Sequence, residues 1–315
     1  MIVLSYRYCF SKRVQDLYGM ASIQFQILIL LAGLLLLVII QSLKTGFQFQ
    51  GDTEVEEQEA TTPVHAVPIE RIPHTLWFTY KHNILATKQP THYYNNIVKT
   101  IHAYHDVWNN DTEMEVHFLI DSNCTDLLKQ VDEELNLSLT NAFLGESYGQ
   151  FKADLCRIAA IYLHGGYYFD IDIEVFQPLL LVNEVSFSSV ISATNIPTFF
   201  QAYLASVPRH PIIRRNLDTL DEFYSQEGEC WIRDKRGGNV GCCTLMSAWN
   251  QTKNKGNVKM LEEIYLNHDI HDGAYRHVPF RGSTDLCHYI VHDPEEHQVY
   301  FYSRITGSRI CDPLF

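Results

Sequence analysis

The chain has 315 residues, of which 46% are hydrophobic, 12% aromatic and 19% charged. That mixture is too apolar and too aromatic for a disordered chain, and 16 Gly with 11 Pro in no repeating period exclude a collagen-like or linker protein. With 24 Lys and Arg against 37 Asp and Glu, the net charge of −13 argues against nucleic acid as a partner.

In chain order the first feature is an unbroken apolar run, Ile27 to Ile40, inside the uncharged stretch Ile23–Leu43. A helix needs roughly 20 residues to cross the hydrocarbon layer, and this run shows no polar stripe. It ends in bulky Val38, Ile39 and Ile40 rather than a small-residue cleavage site, so an uncleaved anchor is expected. Arg7, Lys12 and Arg13 precede it with one acid, Asp16, while Lys44 and then Asp52, Glu54, Glu56, Glu57, Glu59 and Glu70 follow. Basic residues stay on the cytosolic side, so the amino terminus faces the cytosol and the rest of the chain crosses. The expected organisation is a cytosolic tail (1–22), a transmembrane signal anchor (23–43), an acidic stem (44–70) and a luminal domain (71–315). Asn110, Asn123, Asn136 and Asn250 head N-x-S/T sequons on the far side, candidates for N-glycosylation. Of eight cysteines, Cys9 is cytosolic on this topology and seven meet an oxidising lumen. Cys156, inside an expected packed helix, is the candidate free thiol. The sequence does not choose among pairings of the other six.

In the luminal part, Thr75–Tyr80 and Glu115–Ile120 read as strands, and Lys152–Leu163 reads as a helix. The helix buries Leu155, Ile158, Ala159, Tyr162 and Leu163 at i, i+3, i+4, i+7 and i+8, and Gly165-Gly166 ends it. Tyr167–Phe176 and Ser189–Thr194 read as strands; Pro211–Tyr224 and Val258–Leu266 read as helices. The alternation predicts a three-layer α/β domain with a mainly parallel sheet.

Alternation along Tyr167–Phe176 puts Asp170, Asp172 and Glu174 on one strand face. Three buried carboxylates in a row repel, and the strand holds no Lys or Arg to offset them. A divalent cation would supply that charge, and oxygen ligands suit Mg²⁺ or Mn²⁺; the other reading of D-x-D alone is an edge strand with a solvated acidic face. Same-face residues of a flat strand stand about 6.6–6.8 Å apart, so Asp170 and Asp172 can converge on one ion only where the strand bends or ends. They are therefore expected at a strand's carboxyl end, where open α/β sheets bind ligands. Upstream, Asp154 and Arg157 share a helical face opposite the apolar stripe. They read either as a surface ion pair or, folded back by the Gly-Gly turn, as an acceptor and donor for sugar hydroxyls beside a metal-bound diphosphate.

The segment FKADLCRIAAIYLHGGYYFDIDIEVFQPL closely resembles the D-x-D segment of glycosyltransferase family 32, which includes α-1,6-mannosyltransferases and inositol-phosphoceramide mannosyltransferases. More distantly it resembles α-1,4-galactosyltransferases and large bacterial glucosylating toxins. Arg71–Lys81 looks like that family's first strand, Val116–Asp121 like its second, and Phe200–Ser206 with His210-Pro211 like the stretch after D-x-D. The resemblance implies a GT-A type, Rossmann-like nucleotide-sugar domain and a retaining, metal-dependent hexosyl transfer. By it, Asp172 chelates the metal and Asp170 touches the metal or the ribose; Asp154 and Arg157 hold the donor sugar. Trp77 or Tyr80 stacks on the nucleobase, and His288, His292 or Ser303 completes the metal shell. The donor is GDP-mannose first, then a UDP-hexose. The acceptor is a glycan or glycolipid, and the setting is the Golgi or ER membrane in a type II arrangement. Trp77 stands where the family has His, Tyr80 where it has Trp, and Gly241-Cys242-Cys243 where a G-P pair is common. Rival expectations are a catalytically inactive sugar-nucleotide-binding or lectin-like relative, a two-metal phosphoryl-transfer enzyme, and a glycosidase. The last would need carboxylates flanking the bond, which D-x-D neighbours cannot easily supply.

Overall fold

The computed structural model describes residues 71–108, 114–182, 184–192, 198–234, 240–267 and 287–302. The expected tail, anchor and stem, together with Asn110, Ser303 and the side chain of His288, lie outside the described residues. Among the described residues no helix is long and apolar enough to cross a membrane. Contacts divide the chain into units 1–65 and 66–315, and every described element belongs to the second.

The elements are β1 (Thr75–Thr79), α1 (Ile84–Thr87), α2 (Thr91–Trp108), β2 (Glu115–Leu119), α3 (Asp121–Leu135), α4 (Leu139–Gly145) and α5 (Gly149–His164). Then come β3 (Gly166–Phe169), β4 (Glu174–Val175), β5 (Phe187–Ile191), β6 (Phe199–Ser206), α6 (Pro211–Tyr224), α7 (Gly228–Asp234), α8 (Val240–Gln251), β7 (Val258–Asn267), β8 (Cys287–His292) and β9 (Val299–Tyr302). One sheet runs in the order β2-β1-β3-β6-β5-β7-β8-β9-β4.

Side-chain alternation in β1 and β3 divides the core. Leu76, Phe78, Tyr167 and Phe169 join one cluster with Ile97, Tyr104 and Trp108 of α2. Trp77 and Tyr168 point the other way, into a cluster with Leu128 of α3, Leu155 and Ile158 of α5, and Leu217 of α6. Helices on both faces of one sheet give the expected three layers.

The sheet is mixed rather than mainly parallel. Among the described residues three strand pairs are parallel, β1 with β2, β1 with β3 and β5 with β7. The remaining five are antiparallel. Chain neighbours β5 and β6, β7 and β8, and β8 and β9 pair directly, which needs no helical crossover.

Two expected elements change identity. Val258–Leu266 is not a helix but most of β7, whose residues Val258, Met260 and Leu261 pack in the core between β5 and β8. Tyr167–Phe176 is not one strand. It breaks after Phe169 into a turn, in which Ile173 N–H donates to the Asp170 carbonyl at 3.1 Å, and resumes as β4 against β9. The break carries the chain from the middle of the sheet to its far edge and ends the row of carboxylates.

The expected Gly-Gly stop is present and has steric reasons. Gly165 and Gly166 have φ of +67° and +99°. A Cβ on Gly165 would lie 2.7 Å from the Ser206 carbonyl oxygen, and one on Gly166 would lie 2.7 Å from that of Thr75. This turn lays α5 against β3.

Candidate active site

Asp170 is the first residue past β3, at its carboxyl end, and its N–H donates to the Ala202 carbonyl of β6 at 2.8 Å. Its side chain is about 30% exposed. The Tyr168 hydroxyl donates to Asp170 Oδ1 at 2.6 Å and also meets Thr79 Oγ1 at 2.9 Å. Arg157 reaches the same oxygen from α5, Nη2 to Oδ1 at 3.2 Å, and stands 3.4 Å from Asp154 Oδ1. Its Nη1 donates to the Gln201 carbonyl at 2.7 Å, and its guanidinium lies 4.7 Å over the Tyr168 ring.

Arg157 is only 5% exposed, so the pair with Asp154 is no surface ion pair. The sequence pattern suggested a polar helix face, but α5 is wrapped by the sheet, α3 and α6, and Cys156, Ala160 and Ile161 are buried too. Burial works against the guanidinium charge, yet Asp170, Tyr168 and Asp154 outweigh it and hold Arg157 protonated above its usual range. Burial pushes the Asp154 carboxyl up to about 6, against the pull of Arg157. A third element, α8, closes over Asp154. Gly241 N–H donates to Asp154 Oδ2 at 3.2 Å, and Gln201 Nε2 donates to the Gly241 carbonyl at 2.6 Å. A Cβ on Gly241 would stand 2.5 Å from Asp154 Cγ, so only glycine permits this approach. Beside it, burial first and Asp154 second push the Cys242 thiol up to about 11.

On the opposite sheet face, α2 borders the turn. Asn96 Nδ2 donates to the Ile171 carbonyl at 3.3 Å, and Lys99 forms an ion pair with Glu174. Glu174 therefore has a basic partner that no inspection of its own strand reveals. Burial, then Asp172, then Tyr80 raise the pKa of Tyr93. Tyr80, just past β1, packs edge-on to Tyr93 at 6.0 Å and to His82 at 4.9 Å.

The other expected site residues are placed as follows. Trp77 is 4% exposed; its Nε1–H donates to the Gly165 carbonyl at 2.8 Å, and its ring stacks on His117 and His164. It lines a groove of about 520 Å³ with Thr75, Glu115, Asn123 and Gln130, a set that contains none of Asp154, Arg157, Asp170 and Asp172. His292 is buried in β8 with Nδ1 3.1 Å from the Asp293 carbonyl and Nε2 4.0 Å from Glu262, and burial lowers its pKa. Among the described residues no group of three His, Cys, Asp or Glu side chains could hold a metal ion. The pair Asp170 and Asp172, both half-buried at a strand end, still fits a hard cation, which needs one or two carboxylates and takes other oxygens from water and phosphate.

Asn123, Asn136 and Asn250 are all exposed. Cys156 is not a free thiol. It pairs with Cys124, tying α5 to α3, and Cys230 pairs with Cys243, tying α7 to α8. The free cysteine among the described residues is Cys242. A cysteine on a packed helix face pairs as readily as one in a loop when a neighbouring helix presents its partner. Tyr168, Gln201, Asn96 and Tyr93 were missed by sequence reasoning, and Gly241 was noted only as standing where a G-P pair is common. Only Tyr168, two residues before Asp170, had a local signal: its hydroxyl had to face the same side as Asp170.

The region from residue 74 to 193, holding β1 through β5, Asp154, Arg157 and the acidic turn, matches the family model described as a glycosyltransferase sugar-binding region containing DXD motif. That match supports a sugar-transferase function. No curated protein matches the chain in sequence. Among solved structures the chain is similar to the PaToxG glycosyltransferase, at 16% identity and a TM-score of 0.38 over 58% of this chain and 70% of that one. It is similar also to a structure titled as a transferase mutant with two cysteines changed to serine, at 12% identity and a TM-score of 0.35 over 58% and 87% of the two chains.

Proposed function

We propose that the chain is a metal-dependent, retaining glycosyltransferase that moves a hexosyl group, mannosyl first, from a nucleotide-diphosphate sugar to a glycan or glycolipid hydroxyl. The observation that carries this is the Asp154–Arg157–Asp170 cluster, which sits at a strand end and inside the segment matching the DXD sugar-binding region. Asp170 and Asp172 would hold a Mn²⁺ or Mg²⁺ ion, whose chemistry when bound is to offset the charge that grows on the departing diphosphate. Tyr168 and Arg157 both contact Asp170 Oδ1, which fixes that carboxylate. Arg157 offers N–H donors and Asp154 offers acceptors to hydroxyls of the donor sugar, and burial of both strengthens such bonds. Tyr80, half-buried beside Tyr93, is better exposed for a nucleobase than Trp77, whose indole N–H is already used. The acceptor hydroxyl attacks on the face the diphosphate leaves, which retains configuration without a protein nucleophile; the contribution of the protein is positioning and preorganised charge.

We place the catalytic domain, 71–315, in the lumen of the Golgi or ER behind a type II anchor. Two disulfides among the described residues support an oxidising compartment. The test is a screen of GDP-mannose, UDP-galactose and UDP-glucose against glycan and glycolipid acceptors, with Mn²⁺ and with chelator. Transfer of mannose that stops on chelation is the expected result. Binding of a nucleotide sugar without any transfer would identify a non-catalytic relative.

A further inference from the structure

Helix α2 lies along the acidic turn. Tyr93, Asn96 and Lys99 recur at i, i+3 and i+6 and so share one helical face. Two of them contact the Asp170–Glu174 segment, and the third feels its charge. Lys99 pairs with Glu174, Asn96 donates to the Ile171 carbonyl, and the Asp172 charge adds to burial in raising the pKa of Tyr93. The helix itself is anchored. Ile97, Thr100, Tyr104 and Trp108 are buried, and the Tyr104 hydroxyl accepts from Leu179 N–H at 3.2 Å.

The Ile171 carbonyl belongs to the peptide unit that leads into Asp172. Asn96 is only 9% exposed, so water does not readily replace its amide there. We infer that Asn96 is a positioning residue for the cation site: it holds the peptide between Ile171 and Asp172, and with it the Asp172 carboxylate. Lys99 at the same time pairs with Glu174, so that this carboxylate already has a cation beside it. Two carboxylates suit a hard cation that must still accept diphosphate oxygens, and a third in reach would raise the repulsion among them. This inference rests on the sugar-transferase function proposed above.

Mn²⁺ alone is the probe, titrated into the full-length chain in detergent, with the free ion read by electron paramagnetic resonance. Asn96→Leu keeps the side-chain shape and removes the donor. Its expected effect is a loss of about 10- to 100-fold in Mn²⁺ affinity, the range for groups that orient metal ligands, with part of the loss recovered by Asn96→Gln. Lys99→Met should bind Mn²⁺ more tightly by releasing Glu174, and Lys99→Met with Glu174→Gln should return to the native affinity. Asp172→Asn, the control, should lose binding. If Asp172→Asn binds like the native chain, the site itself is misassigned. If Asp172→Asn fails to bind while Asn96→Leu stays within about twofold of native, this inference alone is overturned. Equal losses for Glu174→Gln and Asp172→Asn would also overturn it, by making Glu174 a ligand. Should Asn96→Leu not fold, the Lys99 and Glu174 variants decide the outcome.

Discussion

Replacing Arg157 separates two views of its ion pair. An exposed i, i+3 pair on a helix contributes about 0–1 kcal/mol. In the structure Arg157 is 5% exposed, lies within 3.4 Å of Asp154 and 3.2 Å of Asp170, and donates to the Gln201 carbonyl at 2.7 Å. Arg157→Met would leave Asp154 and Asp170 facing each other without the guanidinium and one buried carbonyl without its donor. Removing one partner of a buried pair costs about 3–5 kcal/mol, mostly through the uncompensated charge left behind. Arg209 provides the comparison. Its Nε and Nη2 both bond Glu134 at 2.9 Å, a shorter geometry, but its side chain is 58% exposed. Arg209→Met should cost no more than about 1 kcal/mol. Urea unfolding at pH 7, followed by tryptophan fluorescence, gives both values on one scale. In the double variant Arg157→Met with Asp154→Leu, part of the loss should return because one fewer charge is stranded. An Arg157→Met penalty no larger than that of Arg209→Met would refute the claim that burial, not bond length, sets the strength of this pair.

Three more outcomes follow from the same geometry. Cys124 and Cys156 close a loop with a sequence separation of 32, so changing both to Ala should lower stability by about 3–4 kcal/mol on the chain-entropy estimate, read by urea unfolding. In Gly241→Ala, a Cβ 2.5 Å from Asp154 Cγ and 2.6 Å from Gln201 Oε1 must displace Asp154, so the donor KM should rise in steady-state kinetics and stability should fall by about 1–3 kcal/mol. Burial pushes the His210 imidazole down to about 4 from an ordinary value of 6.5. Between those values the unfolded chain binds the extra proton and the fold does not, so stability falls as pH drops through that window, by at most on the order of 3 kcal/mol. His210→Asn keeps an N-cap acceptor for α6 and should flatten the acid slope measured by unfolding from pH 7 to pH 4; an unchanged slope would assign it to other groups.

Much of the site's location was legible in the sequence because it is local. The apolar spacing of α5, the Gly-Gly stop and the alternation before Asp170 lie within one short stretch, and the strand end falls where two carboxylates could meet. What the sequence hid is tertiary. Asn96 and Lys99 act on residues 75 positions away, and Cys124 reaches Cys156 between two helices. Val258–Asn267 misled because its apolar residues fit both periods. Val258, Met260 and Ile264 alternate, while Val258, Leu261 and Tyr265 match a helix, and parallel pairing with β5 decided for the strand. For Arg157 a surface ion pair stood as one of two readings because the helix pattern marks one apolar stripe. Packing on several sides of α5 buried the remainder.

The central claim is that a cation held by Asp170 and Asp172 serves a sugar transfer. It is tested most directly by comparing glycosyl transfer in the native chain, in the native chain with chelator, and in Asp172→Ala. Transfer should be lost in both perturbed cases while the Asp172→Ala chain keeps the native circular dichroism spectrum. A folded Asp172→Ala enzyme that transfers sugar as fast as the native chain, indifferent to chelator, would contradict it.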